Sequence, residues 1–316
     1  MTEHDHHQHQ HQHDRGAPCH SQGQGRGAHD KAAEPHDEEA RDQAHDHGSG
    51  LAELLDLDAA VLGSYLAELT AWAAQHTPDP VSAVVDVGAG TGTAAVALAR
   101  HFQDARVVAL DRSPEMLERI KAATERQGLA ERLRALPGDL DAGWPDVGPV
   151  DLAWASSCLH ELSDPDRVLD DLHAALRPGG LLVVVELDAL PRFLPHDLGH
   201  GRPGLEDRCH QALVQAGWNA HPDWRPHLQR GGFWILEQRT VTTASHAQGR
   251  AGASDDIGQY ARAYLRRIRF ALDGRLNEDD LATLDLLLCE DHPDALSRRI
   301  DLTARSSRTA WAARRP

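Results

Sequence analysis

Five apolar runs, spaced along residues 81–187 and mostly separated by helical patterns, constrain this chain more than any other feature. The runs are Val81–Val87, Arg106–Leu110, Leu133–Leu136, Val150–Ala155 and Leu181–Leu187. Thr93–Arg100 reads as a helix. Ser113-Pro114 and Asp164-Pro165 each look like an N-cap followed by proline at the first helical position. Apolar stripes at Met116, Leu117, Ile120 and Ala123, and at Val168, Leu169, Leu172, Ala175 and Leu176, follow the two caps. Strand and helix in alternation predict parallel strands joined by crossover helices. The nearly continuous apolar strands predict a sheet covered on both faces.

The flanks are less regular. Leu51–Gln75 reads as helical and is broken by Pro78 and Pro80. Residues 188–231 read as loops and short helices, Phe233–Thr243 as a strand and Thr303–Ala312 as the last strand. Between those strands, 255–292 read as two helices parted near Asp273-Gly274, an insertion placed to serve as a substrate lid. Its arginines, Arg262, Arg266, Arg267 and Arg269, predict a solvated or salt-bridged face. Residues 1–50 contain no Val, Ile, Leu, Phe, Tyr or Trp and hold eleven of the 22 histidines. Such a stretch cannot bury enough apolar surface to offset its ordering entropy, so it is expected to be a disordered tail. His4, His6, His7, His9, His11 and His13 make weak divalent-metal binding conceivable there, outside any active site.

Charge and composition exclude several classes. The net charge of −17 argues against a phosphate-backbone binder, so no nucleic-acid partner is expected. Aliphatic runs such as Leu181–Val185 fall far short of the ~18 residues a membrane span needs. The polar start carries no signal-peptide core. Cys19, Cys158, Cys209 and Cys289 are widely spaced and predict reduced thiols rather than a disulfide framework or zinc site. A cytoplasmic protein is expected.

The chemistry concentrates in Asp86-Val87-Gly88-Ala89-Gly90-Thr91-Gly92, between the first strand and the first crossover helix. There a ligand reaches backbone amides and a helix N-terminus. The third glycine comes one residue earlier than in a dinucleotide fingerprint, and no Gly-Lys-Ser/Thr follows. Asp86, two residues before Gly88, suits a ligand ammonium. Asp111, at the end of the second strand, is placed to accept ribose hydroxyls, and Asp139 ends the third.

This constellation resembles the class I S-adenosylmethionine-dependent methyltransferases, small-molecule branch, including quinone-biosynthesis and trans-aconitate relatives. Asp86, Gly88, Gly90 and Gly92 match the first motif, Asp111 the ribose acid, and Asp139 with Leu140 the adenine side. Val150–Ala155 continuing into Ser156–Leu162, and Leu176–Leu182, match the fourth-strand motif and the turn into strand five. The likeness is close over about residues 80–188 and loose beyond. It implies a Rossmann-like, doubly wound, mostly parallel seven-stranded α/β sheet with an N-terminal helix and helical insertions. The implied organisation is a tail at 1–50 and one domain at 51–316. That domain would comprise a helical cap (51–80), a cofactor core (81–188) and substrate-side segments (189–316). The implied cofactor is S-adenosyl-L-methionine, held by these residues together with Arg112 and Ser156, and the implied partner is a small-molecule substrate. His160 is the candidate base or orienting group, with a turn-capping role as the alternative. Arg192 and Arg202 are candidates for pairing a substrate carboxylate. Cys158 lacks the Pro that often precedes a cytosine-attacking thiol and is expected to be a buried small residue. A nucleotide-cofactor oxidoreductase and a non-catalytic cofactor-binding or metal-handling protein remain as rival readings.

Overall fold

In the computed structural model, which describes residues 50–218, 223–246 and 253–316, the expected alternation is present. The histidines of the proposed tail site lie outside the described residues. Two helices open the fold, α1 (Leu51–Leu62) and α2 (Tyr65–Ala74). They replace the single helix expected over 51–75. The Gly63 N–H closes α1 on the Ala59 carbonyl, and the Leu66 N–H then starts afresh from the Gly63 carbonyl. Glycine is a poor helix interior, so the break falls there.

The core runs β1 (Ala83–Val87), α3 (Thr93–His101), β2 (Arg106–Asp111), α4 (Pro114–Arg126), β3 (Leu133–Pro137), β4 (Val150–Ser156), α5 (Pro165–Ala175) and β5 (Leu176–Leu187). Both expected caps form. Ser113 Oγ accepts the Met116 N–H, and the Asp164 side chain accepts the Arg167 N–H. Beyond β5 come α6 (Leu205–Gln215), α7 (Trp224–Arg230), β6 (Trp234–His246), α8 (Ala253–Ala271), α9 (Glu278–Leu288) and β7 (Thr303–Arg314). The sheet order is β3-β2-β1-β4-β5-β7-β6. β1 to β5 pair in parallel, and β7 runs antiparallel to both its neighbours. This is the doubly wound, mostly parallel seven-stranded architecture.

Alternate strand residues feed two apolar layers. Val84, Trp154, Val183, Val185 and Ala310 face α2, α3 and α4. Val85, Ala153, Val184 and Trp311 face α5 and α7. A third cluster, built from α1, α6, α8 and α9 around Phe193, Tyr260 and Leu265, lies apart from these two. The arginines of α8 engage acids as the charge pattern predicts. Arg262 pairs with Glu290 at 2.7 Å, and Arg269 with Asp285 at 2.7 Å.

One carboxylate brackets the end of the sheet where β1 and β4 begin. Asp151 Oδ2 accepts the Ser82 N–H (2.8 Å), the Ser82 hydroxyl (2.7 Å) and the Ala83 N–H (3.0 Å), while Arg177 donates to Oδ1. Ser82 is thereby drawn out of the strand, and β1 starts at Ala83 rather than at the expected Val81. Burial alone would raise the Asp151 pKa, but the Ser82, Arg177 and Ala83 bonds bring it below the usual carboxylate value. The stability it contributes is therefore present at neutral pH and is lost as pH falls through that depressed value. Asp151→Ala removes the acceptor from two backbone donors, at about 1–3 kcal/mol each. Urea titration at pH 7 is expected to show a loss of about 2–6 kcal/mol that shrinks at low pH. An unchanged midpoint would mean that the bracket contributes nothing.

Candidate active site

At the opposite end of the sheet, β1 runs into a turn whose three glycines take the left-handed φ that side chains disfavour. Gly88, Gly90 and Gly92 have φ of +62°, +55° and +85°. A Cβ on Gly88 would lie 2.5 Å from Cys158 Cβ, one on Gly90 3.0 Å from Leu55 Cδ1, and one on Gly92 3.0 Å from Ile120 Cγ1. The loop is thus pressed between α1, α4 and the segment after β4. The Ala89 N–H bonds the Leu110 carbonyl at 2.8 Å, tying the loop to β2.

Asp86 is 1% exposed, and its Oδ2 has no hydrogen-bond partner. Burial pushes its carboxyl up to about 8, opposed by a backbone hydrogen bond from Ala95 and supported by the nearby Asp111 charge. A buried, unpaired acceptor beside a glycine cradle fits a ligand ammonium, which would satisfy the oxygen and draw the carboxyl into its charged form. Asp111 occupies the expected strand end but also has a structural task. Its Oδ2 accepts the Gly90 N–H at 2.9 Å and its Oδ1 the Ser113 N–H at 2.8 Å. Each oxygen keeps a second lone pair for a ribose hydroxyl. Asp139 is exposed and accepts the Asp141 N–H at 3.1 Å, while the neighbouring Leu140 is buried. Arg112 extends toward Asp141 at 4.0 Å.

The segment after β4 gathers the remaining polar groups. Ser156 lies beside the Tyr65 hydroxyl. Ser157 adopts φ +52°, a conformation costly for a non-glycine residue, and its N–H bonds the Val185 carbonyl at 2.8 Å. Cys158 donates its thiol to the Val87 carbonyl at 3.1 Å, and burial holds its pKa well above the ordinary value. It is a buried packing residue, as expected, and not a thiolate nucleophile.

His160 sits in a 3₁₀ turn, Leu159–Glu161, between two acids. Its Nδ1 lies 2.8 Å from Glu186 Oε2 and its Nε2 3.3 Å from Glu161 Oε1. Burial alone would lower its pKa, yet the bonds and charges of Glu161 and Glu186 push it up to about 10. Glu186, 1% exposed, also accepts the Leu159 N–H at 3.2 Å and so fixes the turn. Sequence reasoning missed Glu186. The available signal was an acid near the end of an otherwise apolar strand.

The two substrate arginines are placed elsewhere. Arg192 donates to Asp207 and lines, with Phe193, Glu206 and Arg305, a recess of about 300 Å³ whose walls include neither the glycine loop nor His160. Arg202 donates to Asp280 at 2.7 Å, alongside Arg208. A larger cleft of about 590 Å³ opens between α2, α3 and α4 behind the loop, lined by Leu66, Thr70, Thr93, Arg100 and Arg126. That cleft shares Thr91 and Gly92 with the loop, and the buried Asp86 with its unpaired oxygen ends the neighbouring strand.

Asp111→Asn tests the two-sided role of that carboxylate. An amide presents one acceptor where two N–H donors converge, so one bond to the loop or to Ser113 is lost. A hydrogen bond to a charged group is worth about 1.5–3 kcal/mol, so S-adenosylhomocysteine affinity is expected to fall roughly 10- to 100-fold. Equal calorimetric affinity in the variant would remove Asp111 from the binding machinery.

Residues 85–182 match the family described as "Methyltransferase domain". A trans-aconitate 2-methyltransferase of Azoarcus sp. is 37% identical over 106 residues, covering 34% of this chain and 39% of that protein. A malonyl-[acyl-carrier protein] O-methyltransferase of Xylella fastidiosa is 35% identical over 203 residues, covering 60% of this chain and 63% of that protein. The chain therefore spans between 39% and 63% of the length of these two relatives. The structure of a SAM-dependent methyltransferase from Geobacter sulfurreducens superposes with a TM-score of 0.44 at 15% identity, over 83% of this chain and 97% of that one. The match over 85–182, carried on a doubly wound sheet with its glycine loop at the end of β1, makes this segment a methyltransferase domain of that family.

Proposed function

We propose that this protein transfers a methyl group from S-adenosylmethionine to a small-molecule acceptor, and that the acceptor nucleophile is already an anion, a carboxylate. The observation that carries the first part is Asp86, a buried acid with an unpaired oxygen two residues before a turn whose three glycines have left-handed φ. Asp86 would hold the amino-acid ammonium, Asp111 the ribose, and Asp139 with the Leu140 backbone the adenine, with Arg112 and Ser156 at the margins. When bound, the cofactor supplies a methyl already activated by its sulfonium.

The acceptor class follows from His160. A base must have a free lone pair at the working pH. Held charged up to about 10 between Glu186 and Glu161, His160 is an imidazolium at neutral pH and takes no proton. A hydroxyl or carbon acceptor would need that proton removed. A carboxylate brings its own electron pair and loses no proton, and it would take over the imidazolium Nε2–H from the exposed Glu161. The relatives named for trans-aconitate and for a malonyl group, both carboxylate-bearing compounds, support this class. Catalysis then consists of alignment and exclusion of water. Among the described residues no helix is long and apolar enough to cross a membrane. A cytoplasmic setting with a small-molecule partner fits this reading.

Two measurements test it. With a folded-state pKa near 8, Asp86 is protonated at pH 7 in the free protein. A cation bound beside it lowers that pKa, so S-adenosylhomocysteine binding at pH 7 is expected to release a substantial fraction of one proton. The binding enthalpy should then differ between phosphate and Tris, and the difference should vanish in Asp86→Asn and well above pH 8. Identical enthalpies in both buffers would leave Asp86 outside the ligand site.

The second measurement is a pH–rate profile. A histidine pKa raised in the fold contributes stability below its unfolded value, and that contribution is lost as pH rises through about 10. Turnover is expected to be flat from pH 7 to 9 and to fall near 10, while His160→Gln loses roughly 10- to 100-fold in kcat with cofactor affinity preserved. A rise in activity through pH 6–7, the signature of a neutral imidazole base, would overturn the carboxylate assignment.

A further inference from the structure

Arg308 is 4% exposed and belongs to none of the motifs in the sequence. Its place in the sheet sets it beside the site. Val185 pairs with both Ser156 and Ala310, and Trp154 pairs with Asp86. Residues two apart on a strand share a face, so Asp86, Ser156 and Arg308 project from the same face at the end that carries the glycine loop. The Arg308 guanidinium lies 4.4 Å from the centroid of the Tyr65 ring, whose hydroxyl lies beside Ser156.

Its partners leave it incompletely satisfied. Nη2 donates to both oxygens of Asp58 at 2.9 and 2.8 Å, and Nη1 donates to Ser306 Oγ at 3.2 Å. Nε is buried without a partner. A guanidinium binds a carboxylate best through two parallel N–H bonds, and the Nε–Nη2 edge that would supply them is used here through one nitrogen. A buried cation left with an idle donor is costly unless something completes its shell. Asp58 comes from α1, the helix whose Leu55 covers Gly90, and it also accepts the Tyr260 hydroxyl at 2.6 Å. The acid neutralising Arg308 is therefore carried by an element lying over the ligand site and not by the sheet.

We propose that Arg308 anchors a second carboxylate of the acceptor, and that Asp58 is a resident counter-ion which that carboxylate displaces from the Nε–Nη2 edge. The proposal rests on the carboxylate-methyltransferase reading above and deepens it. One anionic group is oriented by the His160 imidazolium and another is held by Arg308, so the acceptor class is a compact di- or tricarboxylate. No bond is made or broken at Arg308. It sets affinity and register.

The probes are succinate, fumarate and citrate, with butyrate as the monocarboxylate control, titrated calorimetrically into protein saturated with S-adenosylhomocysteine. Wild type is expected to bind at least one multivalent anion roughly tenfold or more tighter than butyrate. Arg308→Met is expected to abolish that preference while leaving S-adenosylhomocysteine affinity unchanged, and Arg308→Lys to restore part of it, because lysine supplies the charge without the fork. Asp58→Asn keeps Arg308 and removes the competing charge, so the multivalent anion should bind several-fold tighter to it. This variant decides the matter even if Arg308→Met fails to fold. A cofactor-loaded wild type with no multivalent preference overturns the proposal and leaves the methyltransferase reading standing. So does an Asp58→Asn protein that binds the anion no better than wild type. A protein that does not bind S-adenosylhomocysteine overturns both.

Discussion

The site depends on the absence of a methyl group at Gly88. β1 and the segment after β4 approach so closely there that a Cβ would sit 2.5 Å from that of Cys158. This contact sets the level at which β4 ends and holds the Cys158 thiol on the Val87 carbonyl. It also places the strained Ser157 and the turn that carries His160. A side chain at residue 88 would separate the cofactor half of the site from its acceptor half, because one backbone crossing positions both. The adjacent glycines repeat the arrangement against Leu55 and Ile120, so that α1 and α4 rest directly on the loop.

Buried charge is the second organising principle, and its distribution differs between the two ends of the sheet. Where β1 and β4 begin, Asp151 is surrounded by donors and stays ionised, which holds the strands together. At the other end Asp86 keeps an unpaired oxygen and Arg308 an idle Nε, while Glu186 binds His160 from below. A fold selected only for stability would replace such groups with apolar ones of similar size. Asp86 and Arg308 share the sheet end that carries the glycine turn, where a ligand can supply the missing partner.

The strand–helix alternation, both Ser/Asp-Pro caps and the pair of helices between the last two strands were all legible in the sequence, because each rests on local pattern. The positions of the residues proposed to hold the cofactor were legible for the same reason: Asp86, the glycines and Asp111 lie at fixed offsets from one strand end. The acceptor side was not. Glu186 was concealed within an apolar run, and Asp58, Tyr65, Tyr260 and Arg308 meet only because α1, α2, α8 and β7 converge. The span from Asp58 to Arg308 is 250 residues, and no local period reports it. Arg192 and Arg202 drew attention as arginines following strand five. Folding instead supplied each with an acid, Asp207 and Asp280. The break at Gly63 was missed because the apolar stripe continues through it, although the backbone does not.

These features favour an acceptor that is charged before it arrives. A site designed to deprotonate its substrate would hold its histidine near neutrality, with one acid at most and access to water. Here two carboxylates hold the imidazole in its charged form, and one of them is almost wholly buried. Glu186 keeps one N–H of that imidazolium, while the other is held by the exposed Glu161, the contact an incoming anion would replace. Arg308 poses the same problem on the neighbouring strands, and its internal solution, a carboxylate borrowed from α1, shows which chemical group completes it. Under the proposal above, Asp58 stands where a carboxylate of the acceptor would bind, a planar anion carried by α1.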